Sequence, residues 1–138
     1  MNWRIRRIAQ ETALTTMRYS MSKQAKYDLD NGAWVLIYNF GLPYGYNYDR
    51  TDILILLPPS YPQLPPDWFY MDPGLRRRDG KPPHYFEEAV GRAPTLEHWA
   101  AGCLHIKTWY PADDPLTGHS LLTISQLIQD AFQRWLHQ

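Results

Sequence analysis

The sequence is poor in cysteine, the residue that stabilises many small secreted or metal-bound domains, since it contains one cysteine among 138 residues. Cys103 has no partner for an internal disulfide, and one thiolate is too few for a cysteine-rich zinc site, which is typical of a reducing compartment. The longest apolar run, Ile53 to Leu57, has five residues and is too short to cross a bilayer. The N-terminal segment also lacks the apolar stretch of a secretory signal. We therefore predict a cytoplasmic protein with no membrane partner.

Net charge is also lacking, because 14 Lys and Arg residues balance 14 Asp and Glu residues. The chain therefore lacks the positive field of a non-specific nucleic-acid-binding protein, and we predict no nucleic-acid partner. The segment from Gly41 to Gly45 lacks the Lys-Ser/Thr pair that gives a phosphate-binding loop its chemistry. The histidines form no HExxH or similar motif; they are His84, His98, His105, His119 and His137. We predict neither a metal nor a cofactor.

The chain is rich in apolar residues, with 44% hydrophobic and 14% aromatic residues. This composition is typical of a globular protein, and the length suits one domain over residues 1–138. Trp3, Ile5 and Ile8 recur at the spacing of a short amphipathic N-terminal helix. Residues 1–26 contain a single acid, Glu11, and six basic residues: Arg4, Arg6, Arg7, Arg18, Lys23 and Lys26. The basic face is either a solvated helix surface or a docking surface for an acidic partner.

Four later segments have the β-branched and aromatic residues that strands favour: residues 25–29, 33–40, 52–57 and 67–71. Asn31-Gly32 between the first two predicts a hairpin with a type I′ turn. Five of the nine residues from Pro58 to Pro66 are proline, which interrupts the sheet. Residues 72–98 are charged and turn-rich, and predict a long loop with a turn of helix near residues 86–90.

The last segment has apolar residues at helical spacing from Leu121 to Trp135, and Ser120 is available as its N-cap. Cys103 lies in a stretch with neither clear helical nor clear strand periodicity, which we predict to be a loop. The order of elements is then an N-terminal helix, a four-stranded antiparallel meander, a cysteine-bearing loop and a helix. This order predicts an α+β fold.

Two motifs resemble those of the ubiquitin-conjugating enzymes. Residues 57–68 read LPPSYPQLPPDW, which is similar to that family's Tyr-Pro and Pro-Pro signature. Gly102-Cys103-Leu104 and then Trp109-Tyr110-Pro111 are similar to its active-site cysteine and Trp-x-Pro turn, and residues 116–124 to the start of its crossover helix. The resemblance implies a ubiquitin-conjugating-enzyme-like fold. It also implies that a set of motif residues shapes the loops around the sheet edge: Tyr61, Pro62, Pro65, Pro66, Trp109 and Pro111.

The sequence departs from this family at several positions. The family's His-Pro-Asn tripeptide before the cysteine is replaced by a stretch from Pro94 to Trp99 without asparagine, and His105 stands where Asp or Asn is common. The connection from Pro66 to Cys103 is longer than in the eukaryotic enzymes, and the family's two C-terminal helices are missing. These features resemble a compact, divergent bacterial branch of the family.

The resemblance implies an acyl transferase that needs no cofactor. Cys103 would accept a ubiquitin-like modifier from an activating enzyme as a thioester and transfer it to an amine of a target protein. Arg4, Arg6 and Arg7 lie where the family's first helix meets the activating enzyme. Two alternatives remain open: a catalytically inactive binding module for a modifier or activating enzyme, and a Cys/His hydrolase that pairs Cys103 with His84 or His98.

Several side chains are candidates to assist the thiol. A nearby cation raises the thiolate fraction of a cysteine, and Lys107, His105 and His98 are the nearest candidates in sequence. His105 or His98 could donate the hydrogen bond to the oxyanion that the missing asparagine would supply, and alternation in an extended segment favours His105. Asp113 and Asp114 could orient or deprotonate an incoming lysine; alternatively, they form a solvated acidic turn.

Overall fold

The computed structural model describes residues 2–83, 87–90 and 98–138, with the backbone alone for residues 87–90 and 98. In this part of the chain, six strands follow one another between two helices, in the order α1 (Trp3–Tyr19), β1 (Ala25–Tyr27), β2 (Trp34–Gly41), β3 (Arg50–Leu56), β4 (Trp68–Met71), β5 (Glu87–Val90), β6 (His98–Cys103) and α2 (Leu121–Trp135). The strands form one antiparallel sheet in the order β1-β2-β3-β4-β6-β5. The predicted α+β class and the four-stranded meander β1–β4 are confirmed.

The prediction of a loop for the cysteine is wrong, and so is the helical turn predicted near residues 86–90, of which the structure describes 87–90. Residues 87–90 form β5 rather than a helical turn, and Cys103 is the last residue of β6, which lies between β4 and β5. On β6, Ala100 packs into the helix-side core while Trp99 and Ala101 pack on the opposite face. A strand that is buried on both faces has no polar alternation, so the pattern did not reveal it.

The two helices begin where polar caps precede apolar residues. The Asn2 side chain accepts a hydrogen bond from Ile5 N at 2.8 Å at the start of α1. Ser120 and Thr123 form a capping box at the start of α2, as the predicted N-cap requires. The predicted apolar side of α2 is buried, and comprises Leu121, Ile124, Ile128, Ala131, Phe132 and Trp135. Neither of these described helices has the length and apolar content of a membrane span.

The turn between β1 and β2 is longer than the predicted two-residue type I′ turn. Gly32 N donates to Asp28 O at 2.9 Å, and Gly32 has φ +63° whereas Asn31 is not in the left-handed region. Burial opposes ionisation of Asp28, but the backbone N–H groups of Ala33, Asn31 and Asp30 and the charge of Arg4 together lower the pKa of its carboxyl. The carboxylate, rather than two positive φ angles, therefore organises this turn.

Gly102 lets β6 pass close to the aromatic core. A Cβ atom at this position would lie 2.6 Å from Phe69 Cζ and 3.0 Å from Trp135 Cη2. These two rings stack with centroids 6.0 Å apart, so they have little freedom to move away.

We expect Gly102→Ala to lower the free energy of unfolding by about 1–3 kcal/mol, because the added methyl overpacks the core. Chemical denaturation of parent and variant measures this. Gly41→Ala is the matched control, since a Cβ there meets only ordinary contacts, with Met21 Cγ at 3.6 Å. An equal stability for the two variants would contradict the predicted contact.

Candidate active site

Cys103 ends β6 at one end of the sheet. It is partly exposed, and its register partner on β4 is Trp68, whose side chain is 39% exposed. The pairing continues one residue further, because Leu104 N donates to Asp67 O at 2.9 Å. Strand alternation places Cys103 on the same face as Ala101, away from the helices. The thiol therefore lies on a fixed strand end rather than within a mobile segment.

The chain after Cys103 is anchored by the two motifs that the sequence singled out. Trp109 Nε1 donates to Pro62 O at 2.7 Å, and the Trp109 and Tyr61 rings lie 6.1 Å apart. Tyr61, Pro62 and Pro66 are buried, while Pro65 and Pro111 are half-buried. The Tyr-Pro and Trp-x-Pro motifs thus contact each other directly. This contact fixes the course of the segment between Cys103 and α2, residues 104–120, which we call the acceptor loop.

The two candidate oxyanion donors are placed differently. His105 is exposed and follows Cys103 by two residues, but its φ of +51° is left-handed, so the alternation of an extended segment does not apply to it. The His98 backbone lies at the opposite end of β6, roughly 16 Å along the strand at about 3.3 Å per residue. The His98 side chain and the whole of His84 lie outside the described residues, and Lys107 is exposed.

Asp113 and Asp114, the candidates to orient or deprotonate an incoming lysine, lie in an exposed turn of the acceptor loop. The Asp114 carboxylate accepts a hydrogen bond from Leu116 N at 2.9 Å, and its carbonyl accepts one from Thr117 N at 3.1 Å. Asp114 therefore shapes the turn. The Asp113 carbonyl accepts from Arg7 Nη1 at 3.2 Å, whereas its side chain faces solvent. Among the described side chains, no group of three metal-ligating residues clusters here or elsewhere.

The family model described as prokaryotic E2 family E matches residues 12–135. This chain belongs to prokaryotic E2 family E. The resemblance to a bacterial ubiquitin-conjugating-like family is thereby confirmed, and membership associates the chain with ubiquitin-like conjugation, an activating enzyme and a modifier. No curated protein and no solved structure matches the chain.

The basic helix of this E2-family protein is only partly available to a partner. The Arg4 guanidinium donates to four backbone carbonyls, including Tyr61 O at 2.7 Å and Pro58 O at 2.9 Å. Arg7 is buried and Arg4 is half-buried, so of the three predicted docking residues only Arg6 is exposed. Arg4 and Arg7 bind carbonyls of the protein itself, so the three arginines do not form one solvated basic face. Partner binding by these residues stays a prediction, with Arg6 as its best-placed member.

We expect Arg6→Glu to slow charging by the activating enzyme at low salt while leaving the melting temperature nearly unchanged, because an exposed charge mainly affects encounter rate. Arg4→Ala is expected to lower the melting temperature, since four carbonyls lose their donor. Charging rates at two salt concentrations and thermal melts separate the two effects. Parental charging by the Glu variant at both salt concentrations would contradict the docking role of Arg6.

Glu11 is a buried acid of α1 whose contacts the sequence alone did not identify. Its carboxylate is fully buried and accepts from Tyr61 OH at 2.6 Å, Leu121 N at 2.8 Å and Arg7 Nε at 2.9 Å. Burial and the neighbouring Glu11 carboxylate raise the pKa of Tyr61, which keeps its hydroxyl a donor. Its position in the sequence could have indicated that Glu11 is buried, because Glu11 follows the core residue Ile8 by three residues and so lies on the apolar side of α1.

Proposed function

We propose that this E2-family protein carries a ubiquitin-like modifier as a thioester on Cys103 and transfers it to an amine of a target protein. The observation that carries the proposal is the family match combined with the position of the sole cysteine. Cys103 is partly exposed at a fixed strand end, and the acceptor loop with its exposed Asp113 follows directly. A nucleophile needs both access and a fixed position.

The first step is a thiol exchange. The Cys103 thiolate attacks the carbonyl carbon of the thioester between the modifier and the activating enzyme; a new C–S bond forms, the old one breaks, and the activating enzyme's thiolate leaves. The two bonds are of the same kind, so the step needs no oxidant, reductant or cofactor. Encounter with the activating enzyme involves the exposed Arg6 on α1.

The second step is aminolysis. A neutral lysine nitrogen attacks the thioester carbonyl, the C–N bond forms, the C–S bond breaks and Cys103 leaves as thiolate. The nitrogen loses one proton, to the Asp113 carboxylate or to water. His105 is the candidate donor to the oxyanion, because it is exposed and two residues from the thiol.

The proposal is tested by incubating the protein with its activating enzyme, the modifier and ATP. We expect a covalent adduct that dithiothreitol and hydroxylamine both remove, with peptide mapping placing the modifier on Cys103. A charged activating enzyme that never transfers the modifier would contradict the proposal. It would favour the non-catalytic binding module instead.

The structure sharpens the test of His105. Because its φ is +51°, alanine would add backbone strain, whereas glycine and asparagine adopt this conformation readily. We expect His105→Gly to slow discharge of preformed thioester to free lysine roughly tenfold or more, since one oxyanion donor contributes about 3 kcal/mol. His105→Asn keeps a donor and should lose less. Equal discharge rates for the glycine variant and the parent would exclude this side chain as the donor.

A further inference from the structure

An apolar groove lies beside Cys103 on the sheet face that points away from the helices. Trp68 on β4 is the register partner of Cys103, and directly opposed residues of antiparallel strands share a face with their Cβ atoms about 4.5–5.5 Å apart. The exposed Trp68 side chain lines a groove of about 250 Å³, whose other walls are Leu56 of β3 and the proline-rich segment 58–66. The thiol and the groove are therefore direct neighbours.

The groove runs across the strands, away from Cys103. Continuing the β3–β4 register by one residue places Leu56 opposite Trp68, which in turn is opposite Cys103. Neighbouring strands are about 4.8 Å apart, so Leu56 lies roughly 10 Å from the cysteine. An extended peptide advances about 3.3 Å per residue. A peptide that begins at the thiol and crosses β4 therefore brings its second or third residue between Trp68 and Leu56.

The walls of the groove define the side chains that it accepts. Leu56, Trp68 and Tyr70 present apolar and aromatic surface, and burying such surface against an apolar side chain is favourable. Among the described residues that line the groove, only Asp67 is charged, and it is exposed. Its negative charge opposes a carboxylate and complements a basic side chain. The groove therefore suits an extended segment that has an apolar residue with a neutral or basic neighbour.

We propose that this groove receives the C-terminal segment of the modifier while Cys103 carries it, with an apolar side chain at the second or third residue from the thioester carbonyl. This inference rests on the proposed function, because a thioester on Cys103 is what fixes the end of the segment beside Trp68. The covalent bond identifies the occupant: the residues next to the carbonyl cannot leave the surface around the thiol, and the groove continues directly from it. Trp68 and Leu56 are then specificity-determining residues for the carried segment.

The experiment measures acylation of Cys103 by synthetic hexapeptide thioesters, using mass spectrometry. The Cys103 thiolate attacks the peptide carbonyl, a new C–S bond forms, the old one breaks, and mercaptoethanesulfonate leaves as a thiolate. Three peptides are compared, each with glycine at every position except two. The first has leucine at the second and third residues from the carbonyl, the second has leucine at the fifth and sixth, and the third has glutamate at the second and third.

We expect the parent to react about fivefold or more faster with the first peptide than with the second, because only the first places leucine in the groove. The third peptide should react slowest, because Asp67 repels its carboxylates. Trp68→Ala should reduce the preference for the first peptide to within about twofold, whereas Trp68→Phe keeps an aromatic wall and most of the preference. Leu64→Ala is the matched control, since Leu64 is exposed in the same proline-rich segment and does not line the groove.

A ratio of two rates within one protein is unaffected by changes in thiol reactivity or in the folded fraction. Leu56→Thr, which suits a strand, takes the place of Trp68→Ala if that variant does not fold. If the activating enzyme charges Cys103, the inference alone would be overturned by equal parental rates with the first two peptides, by reaction with none of the three, or by an unchanged preference in the folded wall variant. A parent protein that neither the activating enzyme nor any peptide charges would overturn the proposed function as well.

Discussion

Cys103→Ala is expected to abolish the thiol-labile adduct completely, because the sequence contains no second cysteine that could carry a thioester. The effect on stability should be small, since Cys103 is partly exposed and ends its strand. Non-reducing electrophoresis after charging, with a thermal melt of each protein, measures both. An undiminished thiol-labile adduct on the alanine variant would exclude Cys103 as the nucleophile.

Two further substitutions at the same position test the bond itself. Cys103→Ser should trap the modifier as an ester that dithiothreitol does not remove, and Cys103→Lys as an amide that also resists hydroxylamine. Both substitutions lie at a partly exposed strand end, and they replace the attacking sulfur by a hydroxyl oxygen or by an amine nitrogen on a longer side chain. A stable adduct on serine with none on alanine would establish the position of acyl attachment without relying on the lability of a thioester.

The largest expected loss of stability follows from removing one partner of the buried ion pair. Glu11→Leu leaves the Arg7 guanidinium buried without its carboxylate, and also leaves Tyr61 OH and Leu121 N without their acceptor. We expect the free energy of unfolding to fall by about 3–5 kcal/mol. Denaturant titration at neutral pH measures the change.

The double variant Arg7→Leu/Glu11→Leu is the informative comparison. It removes both charges, so we expect it to be more stable than Glu11→Leu alone, although it still lacks an acceptor for Tyr61. A double variant that is less stable than the single one would show that packing of the two side chains, rather than charge pairing, dominates this contact. Arg18→Leu, at an exposed position of the same helix, controls for the loss of a guanidinium.

The elements that the sequence predicted well are those with a strong residue pattern. Apolar residues at helical spacing from Leu121 to Trp135 predicted α2, and runs of β-branched and aromatic residues predicted the meander β1–β4; both are confirmed. β6 escaped prediction because it contains Ala100, Ala101 and Gly102, which strands do not favour, and because Ala100 and Ala101 are buried on opposite faces and give no alternation. The turn at Asp28 escaped it because a carboxylate, and not the Asn-Gly pair, satisfies the backbone donors.

The candidate site was predictable in its residue types but not in its contacts. Gly-Cys-Leu and the two proline motifs identified Cys103, Tyr61 and Trp109 by resemblance, and the family match agrees with that identification at the level of the family. The direction in which each arginine points was not predictable, because a sequence shows charge but not orientation. Arg7 points inward to a glutamate four residues away and to carbonyls more than 100 residues away, and only the tertiary fold brings these together.

The position of Cys103 at the end of an interior strand divides the site into two parts with different tendencies to open. β6 has neighbours on both sides, so its backbone should exchange amide hydrogens with solvent only through large-scale unfolding. The turn at Asp113 and Asp114 is exposed and should open through small local fluctuations. The thiol is thus held at the end of a strand with neighbours on both sides, while Asp113 and Asp114 belong to an exposed turn. On the proposed function, such a division would allow variation in the targets without movement of Cys103.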